Sequence, residues 1–251
     1  MARLAHHLIL MAFVAAAAAL PPRQASADWA AEEAVLKTAT AAVGETQQLQ
    51  ALEPKALAAS RGRATRTGQT LVLRRKKGPT IALKTRNRCE SGSSTHERCR
   101  SFVLMADLPS QHCYVVAVTY YEGLDILLID DRTGRQTKLR GAPSFAPDGA
   151  YFLVVDNNEA YGSLGLELWR RQGDGAEREW THGNSEDPVE HLTEVVAWAG
   201  DVIELDMRST DHGDSPDEHW RGRVRRLDSG WQLEADWPSQ WGKLFRGWPF
   251  R

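Results

Sequence analysis

The densest set of metal-ligating side chains in the sequence is Asp211-His212-Gly213-Asp214-Ser215-Pro216-Asp217-Glu218-His219. Carboxylate oxygens with two imidazoles suit a divalent cation, provided the loop folds back so that Asp211, His212, Asp214, Asp217 and His219 converge. The same nine residues, with Gly213 and Pro216 between two β-rich runs, also read as an exposed connection that binds nothing. Asp156-Asn157-Asn158-Glu159 offers oxygen ligands for calcium without a regular spacing, and a turn cap is the simpler reading. Asp130-Asp131 reads as part of a hairpin turn. Paired carboxylates do acid–base work only where they meet in space, so no catalytic role is assigned to them.

Nucleophile signatures are absent from the sequence. Gly162-Ser163-Leu164-Gly165 has the wrong spacing for G-x-S-x-G, and a loop between strands accounts for it. There is no H-E-x-x-H, no Cys-x-x-Cys and no phosphate-cradling glycine loop. The six histidines beyond residue 27 (His96, His112, His182, His191, His212 and His219) are scattered over strand ends and loops. The sequence therefore names no catalytic residue and no cofactor. It points to a non-enzymatic scaffold for a protein or an envelope polymer. The alternative is a hydrolase or lyase acting on carbohydrate or peptide, with the acids and histidines of the 156–159 and 211–219 loops at one mouth of the fold.

Charge is unevenly spread. Between Glu53 and Glu90 lie eleven Lys or Arg residues and no acid, whereas Asp156 to Glu218 is rich in acid. Two readings follow: the two faces answer each other within the fold, or Arg61, Arg63, Arg66, Arg74, Arg75, Lys76 and Lys77 form a patch for an anionic partner. Net charge gives no general reason to expect nucleic acid, since the whole chain carries −2 and removal of Arg3 and Arg23 with residues 1–27 makes it about −4.

Export is read from the first residues. Arg3, an apolar run from Leu8 to Leu20, Pro21-Pro22 and the small-x-small triplet Ala25-Ser26-Ala27 follow the order of a cleavable signal peptide over residues 1–27. No later run reaches the roughly 18 apolar residues of a membrane span. The first cysteine is Cys89, so no lipid anchor is expected. The expected destination is the periplasm if the source is Gram-negative, and otherwise the extracellular space. Cys89 and Cys99 bracket a polar loop, and their closure into a disulfide would stabilise the fold by at most about 3 kcal/mol. Cys113 is expected opposite Ala106 on a hairpin, too far along the ladder from Cys99 to bridge, and hence a buried thiol.

The elements that must position these groups are repeats. Leu71–Leu83, Ile126–Leu139, Leu166–Trp180 and Arg223–Leu233 each carry a β-rich run, a glycine turn and a second run. Their marker glycines, Gly78, Gly134, Gly175 and Gly230, are 56, 41 and 55 residues apart. Two more strands precede each of the last three hairpins: 102–107 with 113–119, 143–146 with 151–156, and 195–198 with 202–207. The runs at 114–118, 126–129 and 151–155 are apolar at successive positions, so both of their faces must be covered, as in sheets stacked face to face.

Ser144-Phe145-Ala146-Pro147-Asp148-Gly149 running into Tyr151-Phe152-Leu153-Val154-Val155 resembles the strand–turn–strand of TolB-type β-propeller blades, with Ala146 where Ser is usual. Ile129-Asp130-Asp131-Arg132-Thr133-Gly134 is similar to the hairpin of the same blades. The match covers about residues 124–171. It implies an all-β fold of antiparallel, four-stranded blade-like repeats, either a small four-bladed ring or an open array. A fold of this kind serves both enzymes and scaffolds, so it names no activity.

The remaining segments lie outside the repeat. Asp28 is placed to cap a helix with Val35, Leu36, Ala39, Ala42 and Val43 on one face and Gly44 as its stop. Residues 28–68 thus read as a helical and linker segment, with Pro54 and an Arg/Thr/Gly cluster marking a linker that has room for a second short helix. Residues 69–236 form the repeat domain, and residues 237–251 an aromatic tail, either packed on the body or free to dock. No pattern sets an oligomeric state.

Overall fold

The computed structural model describes residues 27–43, 46–87, 99–120, 123–158, 163–173, 175–183, 191–209 and 219–236. Helices α1 (Ala27–Thr40) and α2 (Thr46–Ala59) come first. Four sheets follow. Sheet 1 is β1 (Ala64–Thr67), β2 (Thr70–Leu73) and β3 (Ile81–Lys84). Sheet 2 is β4 (Arg86–Asn87), β5 (Cys99–Leu108), β6 (Cys113–Tyr120), β7 (Gly123–Asp130) and β8 (Gln136–Leu139). Sheet 3 is β9 (Pro143–Phe145), β10 (Tyr151–Asn158), β11 (Ser163–Gln172) and β12 (Gly175–His182). Sheet 4 is β13 (His191–Ala199), β14 (Val202–Ser209), β15 (His219–Leu227) and β16 (Gly230–Ala235).

Every sheet is an antiparallel meander in chain order. The four glycine-marked segments are the hairpins β2–β3, β7–β8, β11–β12 and β15–β16. Gly78, Gly134 and Gly230 take positive φ as their turns require; in the third hairpin that role falls to Gly173, not Gly175, which opens β12. The fold is thus mostly antiparallel sheet with blade-like units and an N-terminal helical pair.

The sheets stack through three apolar layers. Leu71, Leu73 and Leu83 of sheet 1 meet Phe102, Leu104, Tyr114, Val116 and Val118 on one face of sheet 2. Val103, Val115, Ala117 and Ile126 on its other face meet Phe145, Phe152 and Val154 of sheet 3. Leu153, Leu166 and Leu168, from the far face of sheet 3, meet Ile203, Leu205, Met207 and Trp220 of sheet 4. Residues 113–119 are buried without a break because β6 has sheets on both sides. The outermost faces are polar. On β15, exposed His219, Arg221, Arg223 and Arg225 alternate with buried Trp220, Gly222 and Val224. In sheet 1, Thr65, Thr67, Ala82 and Lys84 face away from the core. Among the described residues no apolar cluster joins sheet 4 to sheet 1.

Residues 45–68, read as a linker with room for a second short helix, are structured where described, and that second helix is present. α2 runs through Thr46–Ala59 with Pro54 inside it, and the Arg/Thr/Gly cluster supplies β1. Pro54 is exposed, and burial of Leu49, Glu53 and Ala56 against β5 outweighs the roughly 3 kcal/mol that an interior proline costs a helix. α2 crosses β5 so that Leu49 enters the layer between sheets 2 and 3 while Ala56 enters that between sheets 1 and 2. Between them, Glu53 closes the open edge of β5. Its Oε1 accepts the Leu104 backbone N–H at 2.7 Å, and its carboxylate takes Arg66 in a two-pronged ion pair, with both bonds at 2.5 Å. Arg66 in turn donates to the Phe102 carbonyl at 2.5 Å. α1 begins at Ala27, so Asp28 lies within its first turn rather than before it.

Cys99 is disulfide-bonded and Cys113 is a free, buried thiol; Cys89, the expected partner, lies outside the described residues. The register expected at Cys113 is corrected. Cys113 faces Leu108 and Val115 faces Ala106, because pairing runs up to a three-residue 3-10 turn at Pro109–Gln111; the bulge at Met105 shifts the register only beyond Ala106. Cys99 stands at the opposite end of the ten-residue β5, about 30 Å away at the usual strand rise, which leaves the two sulfurs unable to bridge. No helix among the described residues is long and apolar enough to cross a membrane.

Removing the Glu53 carboxylate strands Arg66 and the Leu104 N–H together. Glu53→Ala is expected to cost about 3 kcal/mol and to lower Tm by about 6–12 °C in a thermal melt followed by circular dichroism. Glu53→Leu combined with Arg66→Met should regain part of that loss. A Glu53→Ala protein that melts with the wild type would refute the edge-closing role.

Candidate functional site

A cleft of about 670 Å³ opens between α1 and the first strands of sheets 3 and 4. α1 forms one wall because its apolar positions, Trp29, Leu36 and Ala39, turn towards the core while Glu33 and Lys37 point outward and pair at 3.4 Å. Trp29 meets Phe145 edge to face, with ring centroids 6.1 Å apart. Glu32 fastens the wall to the β5–β6 turn by accepting the Ser110 hydroxyl at 2.5 Å and the Ser110 backbone N–H at 3.3 Å. The floor comes from the 141–145 segment, which lies so close to β10 that a Cβ on Gly141 would stand 2.0 Å from the Val155 carbonyl oxygen. Only glycine fits there.

The opposite wall is β13, β14 and the start of β15. β13 is an edge strand, and Asn157 of β10 caps it: the carboxamide donates to the Thr193 carbonyl at 2.8 Å and accepts the Thr193 N–H at 3.0 Å. Asn157 thereby joins two sheets, where the sequence reading gave the 156–159 run a turn cap. Asp156 is buried, and Glu159 lies outside the described residues. The buried Thr193 hydroxyl in this wall has no hydrogen-bond partner. Asp206 and His219 meet at the rim, with Nδ1 3.6 Å from Oδ2, and Glu194 faces Asp206 across the β13–β14 ladder. The lining is thus mixed, with acidic and basic side chains beside an aromatic and aliphatic floor. Such a surface suits an extended polymer or peptide more than a small apolar ligand.

Of the residues considered for a metal, Asp211, His212, Asp214 and Asp217 lie outside the described residues, and only His219 is placed, on the cleft rim. Among the described residues no group of three or more His, Cys, Asp or Glu side chains has a metal-binding arrangement. The basic run divides. Arg61, Arg74, Lys76 and Lys77 are exposed. Arg66 is engaged by Glu53, Arg75 donates to the Arg132 carbonyl at 3.0 Å, and Arg63 lies in an ionic cluster that the sequence reading missed.

That cluster ties sheet 1 to sheet 2. Arg63, just before β1, contacts Asp107 at 3.3 Å and donates to Asp131 at 2.5 Å, with its guanidinium 5.2 Å from the Tyr114 ring centre. Tyr114 donates its hydroxyl to the Arg74 carbonyl at 2.5 Å. Asp130 and Asp131 both belong to the β7–β8 turn, as the sequence reading has them: Asp130 accepts the backbone N–H groups of Arg132 and Thr133, while the Asp131 side chain is turned inward to Arg63. Burial opposes ionisation of Asp130, but the Arg132 guanidinium and those N–H groups hold it below the usual carboxylate range. Two buried carboxylates share one guanidinium in the cluster, and three of their four oxygens lack a hydrogen bond. Burial accordingly pushes Asp107 up to about 7, with Arg63 pulling against it and Glu32 and Asp131 adding to it. Burial likewise raises Tyr114 to about 12, with Asp107 second. Arg63 stays charged because Asp107, Tyr114 and Asp131 outweigh its own desolvation. Asp107 stands alone as a charge in the apolar run Phe102–Leu108, and this was the signal available in the sequence. Cys113 is pushed up to about 12 by burial and is inert as a nucleophile.

Compared with known proteins, the chain matches no family model, no curated protein and no solved structure.

Because Asp107 holds its proton in the folded state to about pH 7 and an unfolded aspartate releases it near 4, its stabilising contribution is full below about pH 4 and is lost as pH rises through 7. The loss is at most about 4 kcal/mol. Urea unfolding at pH 4, 6 and 8 should show wild-type stability falling relative to Asp107→Asn across this window. Parallel pH profiles would contradict the assignment.

Proposed function

We propose that this is an exported, non-enzymatic scaffold that binds a protein or an envelope polymer in the cleft between α1 and β13. The observation that carries the reading is the cleft itself: open, of mixed polarity, and walled by side chains held by helix, ladder and Asn157 bridge. Its four sheets are read as blades of a TolB-like propeller array that stays open at its ends, in keeping with the solvated outer faces of sheets 1 and 4. Export, to the periplasm of a Gram-negative source or to the exterior of another, rests on the signal-peptide pattern of residues 1–27. The disulfide state of Cys99 is in keeping with such a compartment.

Glu194 is exposed on the cleft wall, so Glu194→Trp blocks the cleft without touching the core. Immobilised wild-type chain should retain a defined component of envelope extract, and Glu194→Trp should retain at least tenfold less. Equal retention by both, or only background on the wild type, overturns the proposal. A hydrolase or lyase is the second reading, favoured by Asp206 and His219 meeting on the same cleft that Asn157 lines. Turnover of a glycan or peptide panel that disappears in Asp206→Asn and His219→Ala would select it instead.

The pairing of Cys89 with Cys99 has its own measurement. Thiol titration of the denatured, unreduced chain should count one reactive sulfur, Cys113, and titration after reduction should count all three cysteines.

A further inference from the structure

The exposed cations Arg61, Arg74, Lys76 and Lys77 gain neighbours that are distant in sequence. The loop between β2 and β3 docks on the turn between β7 and β8: the Lys76 backbone N–H donates to the Asp131 carbonyl at 2.7 Å, and the Arg75 side chain lies against both Gly78 and Gly134. The Lys76 ammonium stands 2.6 Å from Nδ1 of His112 in the β5–β6 turn. Arg132 reaches across to the Gly173 carbonyl in the β11–β12 turn at 2.7 Å, and Arg171, beside that turn, lies 3.4 Å from the Gln111 amide oxygen. Four turns from three sheets therefore meet at one end of the stack, and Lys76, Arg132 and Arg171 surround His112.

Among the described residues the acids nearby are engaged. Asp130 holds Arg132 and the backbone of its own turn, and Asp131 is buried beneath Arg63. Asp148, on the adjacent β9–β10 turn, caps the Ala150 N–H. The His112 imidazole registers the resulting field. Burial and then Lys76 hold its protonation below the ordinary histidine range; Asp131 opposes them, and Arg132 and Arg171 add smaller pushes in the same direction as Lys76.

We propose that this end of the stack is an anion-binding rim for an acidic polysaccharide, with one sulfate, phosphate or carboxylate group seated among Lys76, His112, Arg132 and Arg171 and the next groups along Arg74, Lys77 and Arg61. Charge-assisted bonds from several turns supply the affinity. A linear polymer fits because the cations are spread over several turns rather than gathered in one pocket. The site is independent of the α1 cleft, and only the choice of glycan over nucleic acid rests on the export reading. An anion seated there favours the imidazolium, so by linkage binding strengthens as pH falls through the His112 titration.

Heparin is the probe, used with the purified full chain in 0.1 M NaCl. The wild type should bind with an affinity that falls steeply with added salt. Changing Arg74, Lys76 and Lys77 together to Gln should weaken binding at least tenfold, whereas the control Lys138→Gln, on β8, should stay within twofold. Wild-type affinity should rise several-fold from pH 8 to 5.5, and His112→Asn, a residue that tolerates the left-handed backbone at this position, should abolish the rise. Absence of heparin binding, an equal loss in the control, or a rise that persists in His112→Asn overturns the rim. Tighter binding to an oligonucleotide of equal charge overturns the glycan assignment while leaving the cleft-retention test untouched.

Discussion

A strand edge buried beneath a helix has to find partners for its peptide groups, and in this protein one ion pair does so where the most structure leans on it. β5 is the strand that both helices pack against and that contributes to two apolar layers. Its edge would present the Leu104 N–H and the Phe102 carbonyl to apolar surroundings, at a cost of a few kcal/mol each if unpaired. Glu53 and Arg66 occupy those groups and neutralise each other in doing so. Asn157 repeats the device without charge on β13. The sheets can therefore end in the interior, beside a cleft, with no further strand covering them.

The same economy of partners explains the ionic cluster. Arg63 belongs to the connection between α2 and sheet 1, whereas Asp107 and Asp131 belong to sheet 2. One guanidinium serving two carboxylates leaves a buried charge in surplus, and a proton on Asp107 is the least costly way to remove it. The tether between the first two sheets thus has a composition that depends on the medium, unlike the apolar layers on either side of it.

The repeat was legible because its signals are local. Gly78, Gly134 and Gly230 mark turns that demand positive φ, and the unbroken apolar runs at 114–118 and 151–155 require covering on both sides. What the sequence hid is non-local. α2 was obscured by Pro54, whose penalty is overcome only by contacts with β5 more than forty residues away in the chain. The partner of Cys113 turned on where the hairpin closes: the 3-10 turn at Pro109–Gln111 pairs it with Leu108, and an apolar run on both faces carries no mark of that register. The cleft was out of reach for a similar reason, since its walls come from residues near 33, 143, 157, 194 and 219 that share no motif. Asp107, a lone charge among apolar neighbours, was visible; its partner Arg63 was hidden among ten other cations.

Among the described residues the outer faces of sheets 1 and 4 are polar and solvated, and this bears on how the stack comes apart. Among the described residues each apolar layer joins only neighbouring sheets, so their cohesion is a sum of three adjacent interfaces rather than one shared core. Fluctuations should enter from the ends, where a sheet is held on one side alone. Sheet 2 is clasped on both sides and buttressed by α1 and α2, and it is the keel from which the others can peel and return. Sheets 3 and 4 bound the cleft, so opening at the sheet 4 end would widen it while the keel stays intact.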